Sequence, residues 1–344
     1  MWYIAIYFPL LISGMPLKLL RKKIEVIGMK KYKAISLFAG IGGICMGFKN
    51  AGVDIVFAND SDKRACETYR TNFSHNLVEG KIEDIKTEDI PEADMVLFGF
   101  PCTSFSIAGK REGFEDEKSG HLFFEALRII KAKKPKVIFL ENVKNLVSHD
   151  NGNTFKVITE SLKNEGYYFR YKVLNSMDYG NVPQNRERIY LVGFLDKEAC
   201  DRFYFPDPIQ LNRTIKDITK PYEKKDNKFY YENSKYYPML KEAMNNKDTV
   251  YQLRRIYVRE NKKGVCPTLT ANMGTGGHNV PLIIDDYGIR KLTPKETLLL
   301  QGFPEDYKIP QGMANSHLYK QAGNSVTVTV IERIAKNIIN AINL

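Results

Sequence analysis

Between Ala34 and Phe194 short apolar runs alternate with amphipathic stretches. The strand-like runs are Ala34–Phe38, Asp54–Ala58, Met95–Phe100, Val137–Leu140, Tyr171–Leu174 and Ile189–Phe194. The helix-like segments are Ile44–Asn50, Ser61–Asn72, Leu122–Lys131 and Thr154–Glu165. A helix between two strands returns the chain to the same edge of a sheet, so such strands pair in parallel with helices on both faces. The pattern predicts a mainly parallel, doubly wound α/β sheet. Phe205-Pro206-Asp207-Pro208 reads as a boundary, because prolines end regular structure. Residues 209–288 are rich in Lys, Arg, Asn and Tyr without a clean period, and are expected to form a second, smaller domain. Helical pattern returns at Thr293–Leu300 and Val326–Ile342, and Thr293 followed by Glu296 has capping-box spacing. Ser61 is expected to cap one helix, and Asn151-Gly152-Asn153-Thr154 to start another.

The chain's 344 residues accommodate both units. Its net charge of +11 suits a polyanionic partner or a generally basic surface. The five cysteines form no C-x-x-C pair, so neither a zinc site nor a disulfide framework is indicated, and a reducing cytoplasmic setting fits. Residues 1–28 are odd. The apolar stretch Met1–Leu20 carries its positive charges behind it, the reverse of a secretory signal. It is interrupted by Ser13, Gly14 and Pro16 and is short for a spanning helix. The core is expected to begin near Met29, with the leader an upstream extension; a membrane anchor is the other reading.

Four sites stand at predicted strand ends, where open α/β sheets place their ligands. Phe38-Ala39-Gly40-Ile41-Gly42-Gly43 leaves the first strand and opens a helix, a place for a sharp turn or for close approach of a nucleotide-like ligand. Its last two glycines are adjacent, which breaks the G-x-G-x-x-G spacing of dinucleotide binders and disfavours a NAD oxidoreductase. Asp60, about 20 positions after the glycines, suits ribose hydroxyls. Pro101-Cys102 ends the run Met95–Phe100 and opens a polar loop, Thr103–Gly120; alone, such a cysteine reads as a small buried hydrophobe or as a nucleophile. Glu141-Asn142-Val143 ends Val137–Leu140 and offers a carboxyl whose pKa burial can raise. Arg186 and Arg188 alternate around Glu187 and so share a face. His278, in a glycine-rich loop, reads as polar surface.

The blocks FAGIGG, GFPCTSFSIAGKREGF, ENVKNLVSHDNGNT, QNRERIYLVGF, RKLTPKETLLLQGFP and QAGNSV occur in this order. From about Lys33 to its end the chain closely resembles the bacterial DNA (cytosine-5) methyltransferases of type II restriction–modification systems. The match is loose only over residues 200–265. The resemblance implies an S-adenosylmethionine-dependent, Rossmann-like fold with a mixed, mostly parallel sheet and a smaller target-recognition domain. Residues 29–204 and 291–344 form the catalytic domain on this reading, and residues 205–290 the recognition domain.

The resemblance also implies roles. Cys102 attacks C6 of a flipped cytosine, Glu141 protonates or hydrogen-bonds N3, Arg188 contacts the base oxygen and positions Glu141, and Arg186 is its partner. Phe38, Gly40, Gly42, Asp60, Ile82, Pro101, Leu122, Asn324 and Val326 match cofactor positions. Asp60 replaces the usual Glu, and Lys81 stands where an Asp usually contacts adenine. Ser106 matches the loop segment that presses into the vacated duplex, although Thr103 replaces the common Gln after the cysteine. Gln252, Arg254, Arg255, Tyr257 and Arg259 form the basic, aromatic cluster expected to read or grip DNA. Arg254–Pro281 resembles recognition segments of CCGG- or CCNGG-reading enzymes. The implied partners are double-stranded DNA and a paired restriction endonuclease, with no metal, no stable membrane association and a monomeric state. An RNA methyltransferase is the rival enzyme reading, disfavoured by the long basic recognition segment. A non-catalytic DNA-binding protein is disfavoured by the intact Cys102, Glu141 and Arg188.

Overall fold

The computed structural model describes residues 31–100, 121–254, 256–261, 264–275 and 279–343. A seven-stranded sheet forms the centre, in the order β3-β2-β1-β4-β5-β7-β6. The strands are β1 Lys33–Leu37, β2 Asp54–Asp60, β3 Asn76–Glu79, β4 Met95–Phe98, β5 Val137–Val143, β6 Tyr168–Asn175 and β7 Glu187–Phe194. β1 to β5 pair in parallel, while β7 runs antiparallel to both β5 and β6. The sheet is therefore mixed and mostly parallel. Residue patterning had not marked β3 as a strand: its four residues, Asn-Leu-Val-Glu, are an edge with no fully buried position.

Alternation along the strands divides the interior into two layers. On β4, Met95 and Leu97 face one layer and Val96 and Phe98 the other, all fully buried. Each such side chain contributes about 1.5–3 kcal/mol of burial. The first layer is covered by helix α1 (Gly43–Asn50) and the second by α3 (His121–Lys133) and α4 (Asn153–Asn164). Between α1 and α3 in the chain, α2 (Lys63–Asn72) leads from β2 to β3.

One helix cap differs from expectation. Asp62, not Ser61, caps α2, its carboxylate accepting from the backbone N–H groups of Arg64 and Ala65. α4 begins, as expected, within Asn151–Thr154, at Asn153 behind a left-handed Gly152 and with no side-chain cap. Thr293 and Glu296 do form the reciprocal capping box of α5 (Pro294–Leu300).

Residues beyond Phe205 build a second sheet of four short strands. They are β8 Tyr251–Leu253, β9 Val258–Glu260, β10 Leu282–Asp285 and β11 Gly288–Lys291, in the order β9-β8-β10-β11. Leu240, Met244, Tyr251, Leu253, Leu282 and Ile289 form its own small core. The chain then returns through α5 and α6 (Asn315–Asn324) to α7 (Val328–Ile342). α7 crosses α1 so closely that a side chain at Gly47 would overlap Ile331. No described helix is long and apolar enough to cross a membrane.

Candidate active site

The carboxyl ends of the parallel strands open into a cavity of about 690 Å³, within the range of small-molecule sites. Its first wall is the turn after β1. Phe38 has φ of 54°, a left-handed conformation that is strained for a bulky residue, as is common at functional sites. Gly40 has φ of 55° and open space where a side chain would stand, so its backbone is bare to the cavity. Gly40 N donates to Asp60 Oδ2 at 2.6 Å, and Asp62 N donates to Asp60 Oδ1 at 2.8 Å. Burial raises the Asp60 pKa and these N–H donors oppose the rise. The carboxylate is thus fixed at the cavity edge before any ligand arrives. Gly42 does not line the cavity. It is the left-handed N-cap of α1, and a side chain there would overlap the Phe73 ring.

A second wall follows β3. Asn59 Nδ2 donates to the carbonyls of Val78 and Gly80, at 3.1 and 2.9 Å, and fixes the turn that presents Lys81 and Ile82. From α3, Arg128 donates to the carbonyls of Ile82 and Ile85, each at 3.1 Å, and holds the same turn from behind. Ile82, only 2% exposed, is an apolar floor. Leu122, Asn324 and Val326 complete the lining among the expected cofactor residues that the structure describes. A polar rim at Asp60 and an apolar floor at Ile82 fit an adenosine-like group.

The far end of the cavity contains Glu141, Arg186 and Arg188. The sequence placed Glu141 just past its strand. β5 instead runs on to Val143, because antiparallel β7 continues the ladder with Glu141 opposite Tyr190 and Val143 opposite Arg188. β4 stops at Phe98, opposite Leu140. Glu141 is therefore the first residue of β5 beyond its parallel neighbour. It is 8% exposed, with Arg188 Nε 3.3 Å from its Oε1. That contact pairs the charges but lacks hydrogen-bond geometry, so Oε1 has no hydrogen-bond partner among the described residues. Burial pushes the Glu141 pKa up, against the pull of Arg188 and, more weakly, Arg186.

The two arginines share the cavity but differ in use. Arg186 is 2% exposed. It donates to the carbonyls of Leu269 at 2.8 Å and Gly323 at 3.4 Å, and to that of Ser325. Burial, reinforced by the charge of Arg188, lowers its pKa to about 9. Its Nε is also unpartnered among the described residues. A buried polar atom without a partner costs about 1–3 kcal/mol, so two in one cavity mark a place for a polar ligand group. Asn142 was not assigned a role from sequence. Its Nδ2 donates to the Phe100 carbonyl at 2.9 Å, which ties the end of the β4 segment to the strand bearing Glu141. Phe100 immediately precedes Pro101-Cys102. Pro101, Cys102, the loop Thr103–Gly120 with Ser106, Arg255, His278 and the leader lie outside the described residues.

Of the expected DNA-contacting residues, Gln252, Arg254 and Arg259 line a separate hollow of about 250 Å³ on the small sheet. Tyr257 lies outside that hollow and is 53% exposed.

A mixed, mostly parallel sheet of this order, with a cavity at its carboxyl edge lined by a buried Glu–Arg pair, is the architecture of a Rossmann-like methyltransferase. The model of the C-5 cytosine-specific DNA methylases matches residues 32–340. The chain is 60% identical to the type II methyltransferase M.Bsp6I of Bacillus sp. (strain RFL6) over 88% of its own length and 97% of the relative's. It is 39% identical to M.HhaI of Haemophilus parahaemolyticus, over 90% and 94% of the two chains. Among solved structures, a variant of Spodoptera frugiperda DNMT2 superposes with a TM-score of 0.70 at 21% identity, covering 90% of this chain and 99% of that one, a likeness of fold. The chain belongs to the C-5 cytosine-specific DNA methylase family. It is a site-specific DNA (cytosine-5) methyltransferase of the type II restriction–modification class.

Proposed function

We propose that the large cavity binds S-adenosylmethionine and that Cys102 attacks C6 of a cytosine flipped out of double-stranded DNA. The observation that carries this reading is Glu141, a buried carboxyl with an open oxygen, in the same cavity as Asp60 and Ile82. Asp60 would hold the ribose hydroxyls, Ile82 and Leu122 the adenine faces, and the bare backbone at Gly40 the amino-acid end. The cofactor, when bound, supplies the electrophilic methyl group.

The chain's own residues handle charge and protons. Cytosine C5 is a poor nucleophile until a thiolate adds at C6, which makes C5 enamine-like. Adding Cys102 Sγ to C6 sends an electron pair toward N3. Glu141, whose pKa burial raises, is the carboxyl placed to share a proton with N3 at that moment. Arg188, 3.3 Å from Glu141, keeps that carboxyl in place and presents N–H donors to the base oxygen. Arg186 spends its donors on three backbone carbonyls and is a positioning residue. A base then removes the C5 proton, and breaking the S–C6 bond frees Cys102.

On this reading residues 29–204 and 291–344 are the catalytic domain and residues 205–290 the target-recognition domain. Residues 1–28 are dispensable. The enzyme acts as a cytoplasmic monomer beside a restriction endonuclease that cuts the same sequence. Bisulfite sequencing of plasmid DNA from cells expressing the chain tests the reaction. The expected result is protected cytosines in one short motif, the same motif from a chain starting at Met29, and none from Cys102→Ser. Methylation by the Cys102→Ser protein would refute the covalent route.

A further inference from the structure

The hollow on the small sheet has a built arrangement of side chains. Gln252 of β8 stands opposite Arg259 of β9 in an antiparallel pair. Arg254, two residues on from Gln252, lines the same hollow. Arg254 Nη2 donates to Gln252 Oε1 at 3.2 Å. A guanidinium only donates, so this bond also settles which end of the amide faces Arg254. The amide's oxygen accepts from Arg254, and its Nε2 can donate to a ligand. The Arg259 guanidinium makes no ion pair among the described residues. The hollow therefore presents N–H donors from Gln252, Arg254 and Arg259. In the DNA major groove guanine offers two adjacent acceptors, N7 and O6, whereas adenine requires an acceptor for its amino group. The donor set matches guanine.

The wall of the hollow places that base. It is formed by Pro267, Thr268, Leu269 and Thr270. The same segment is zipped onto the chain that leads to Arg186 and Arg188. Cys266 and Pro267 pair in parallel with Gln184 and Asn185. Thr268 Oγ1 donates to the Asn185 carbonyl at 2.7 Å, and Leu269 N donates to Gln184 Oε1 at 3.1 Å. Arg186 Nη1 then takes up the Leu269 carbonyl at 2.8 Å. From the other side Gly323 lets α6 close on the segment; any side chain there would overlap the backbone of Thr270 and Ala271. One stretch of backbone thus separates the hollow from the cavity containing Glu141.

We propose that this hollow reads a guanine adjacent to the target cytosine, with Arg259 donating to O6 and N7 and Arg254 bracing Gln252. The proposal rests on the DNA-methylating function above and adds the base and the residues that read it. Its test is methylation profiling on duplexes with randomised flanks, using wild type and Arg259→Lys. Lysine keeps the charge for a phosphate but loses the paired donors. The expected result is one position at which wild type demands guanine and Arg259→Lys loses roughly 10- to 100-fold of that preference. Replacing that guanine by 7-deazaguanine, which lacks the N7 acceptor, should slow wild type about tenfold or more and Arg259→Ala hardly at all. If Arg259→Ala and Arg259→Lys both keep the wild-type preference at every position, Arg259 does not read a base and the proposal fails while the methylating function stands. A wild-type protein that methylates no cytosine would overturn both. Arg254→Ala provides an independent check, since loss of the brace should weaken the same position and no other.

Discussion

Glu141 is buried beside two arginines, yet its pKa rises, because desolvation outweighs their combined attraction. A carboxyl with a raised folded-state pKa contributes stability that is fully present below its ordinary value of 4.5 and is lost as pH rises through the raised value. Glu141→Gln removes that ionisation. The variant should therefore gain on wild type in thermal stability as pH is raised from about 4.5 to about 8, and a gap that stays constant with pH would contradict the raised pKa. On the proposed mechanism the same proton serves catalysis, so turnover should fall by about 10²- to 10⁴-fold in Glu141→Gln, and in wild type should decline on the alkaline side. Much at this scale was legible in the sequence. Phe38, Gly40 and Asp60 could be placed because a glycine-rich turn and an acid at strand ends are local signals. Arg186 was legible only as a cation near Arg188. The carbonyls of Leu269 and Ser325 that occupy it lie 83 and 139 residues away in the chain, and no spacing rule reaches that far.

At the scale of elements, the link between the small sheet and α5 is a buried ionic cluster. Arg290 of β11 is fully buried. Its Nε meets Asp285 Oδ2 at 2.6 Å, and its two terminal nitrogens meet the Glu296 oxygens at 2.9 and 2.8 Å. Tyr230 adds a hydroxyl bond to Asp285 at 2.9 Å, and Thr293 N completes Glu296 at 2.6 Å. The capping box read from sequence is thus also one side of an ion cluster that the sequence did not announce. Sequence likewise left residues 209–288 without a period, because β8 and β9 have three residues each and owe their structure to partners across the sheet. Arg290→Met would leave two carboxylates buried without a cation, at a cost of about 3–5 kcal/mol. Urea denaturation of the variant and wild type checks this; a loss below about 1 kcal/mol would mean that the cluster adds little beyond packing.

Across the whole molecule, the net charge of +11 takes its meaning from what the fold divides. Of the arginines lining the large cavity, Arg186 is spent on three carbonyls and Arg188 pairs with Glu141. The cations left to grip a duplex are therefore others of the chain's 51 lysines and arginines. Such cations displace counterions condensed on the duplex, and affinity then falls linearly in log–log form with salt. With six or more phosphates contacted, affinity for a duplex lacking the recognition sequence should drop by on the order of 10³-fold or more between about 50 and 200 mM salt. The slope should be the same for Arg259→Lys, which keeps its charge, whereas a cation that grips phosphate should reduce the slope by about one when replaced by alanine. Titration of a labelled duplex across salt concentrations measures both. A flat profile for wild type would mean that the basic surface does not bind DNA, and would leave the hollow on the small sheet to account for the protein's affinity alone.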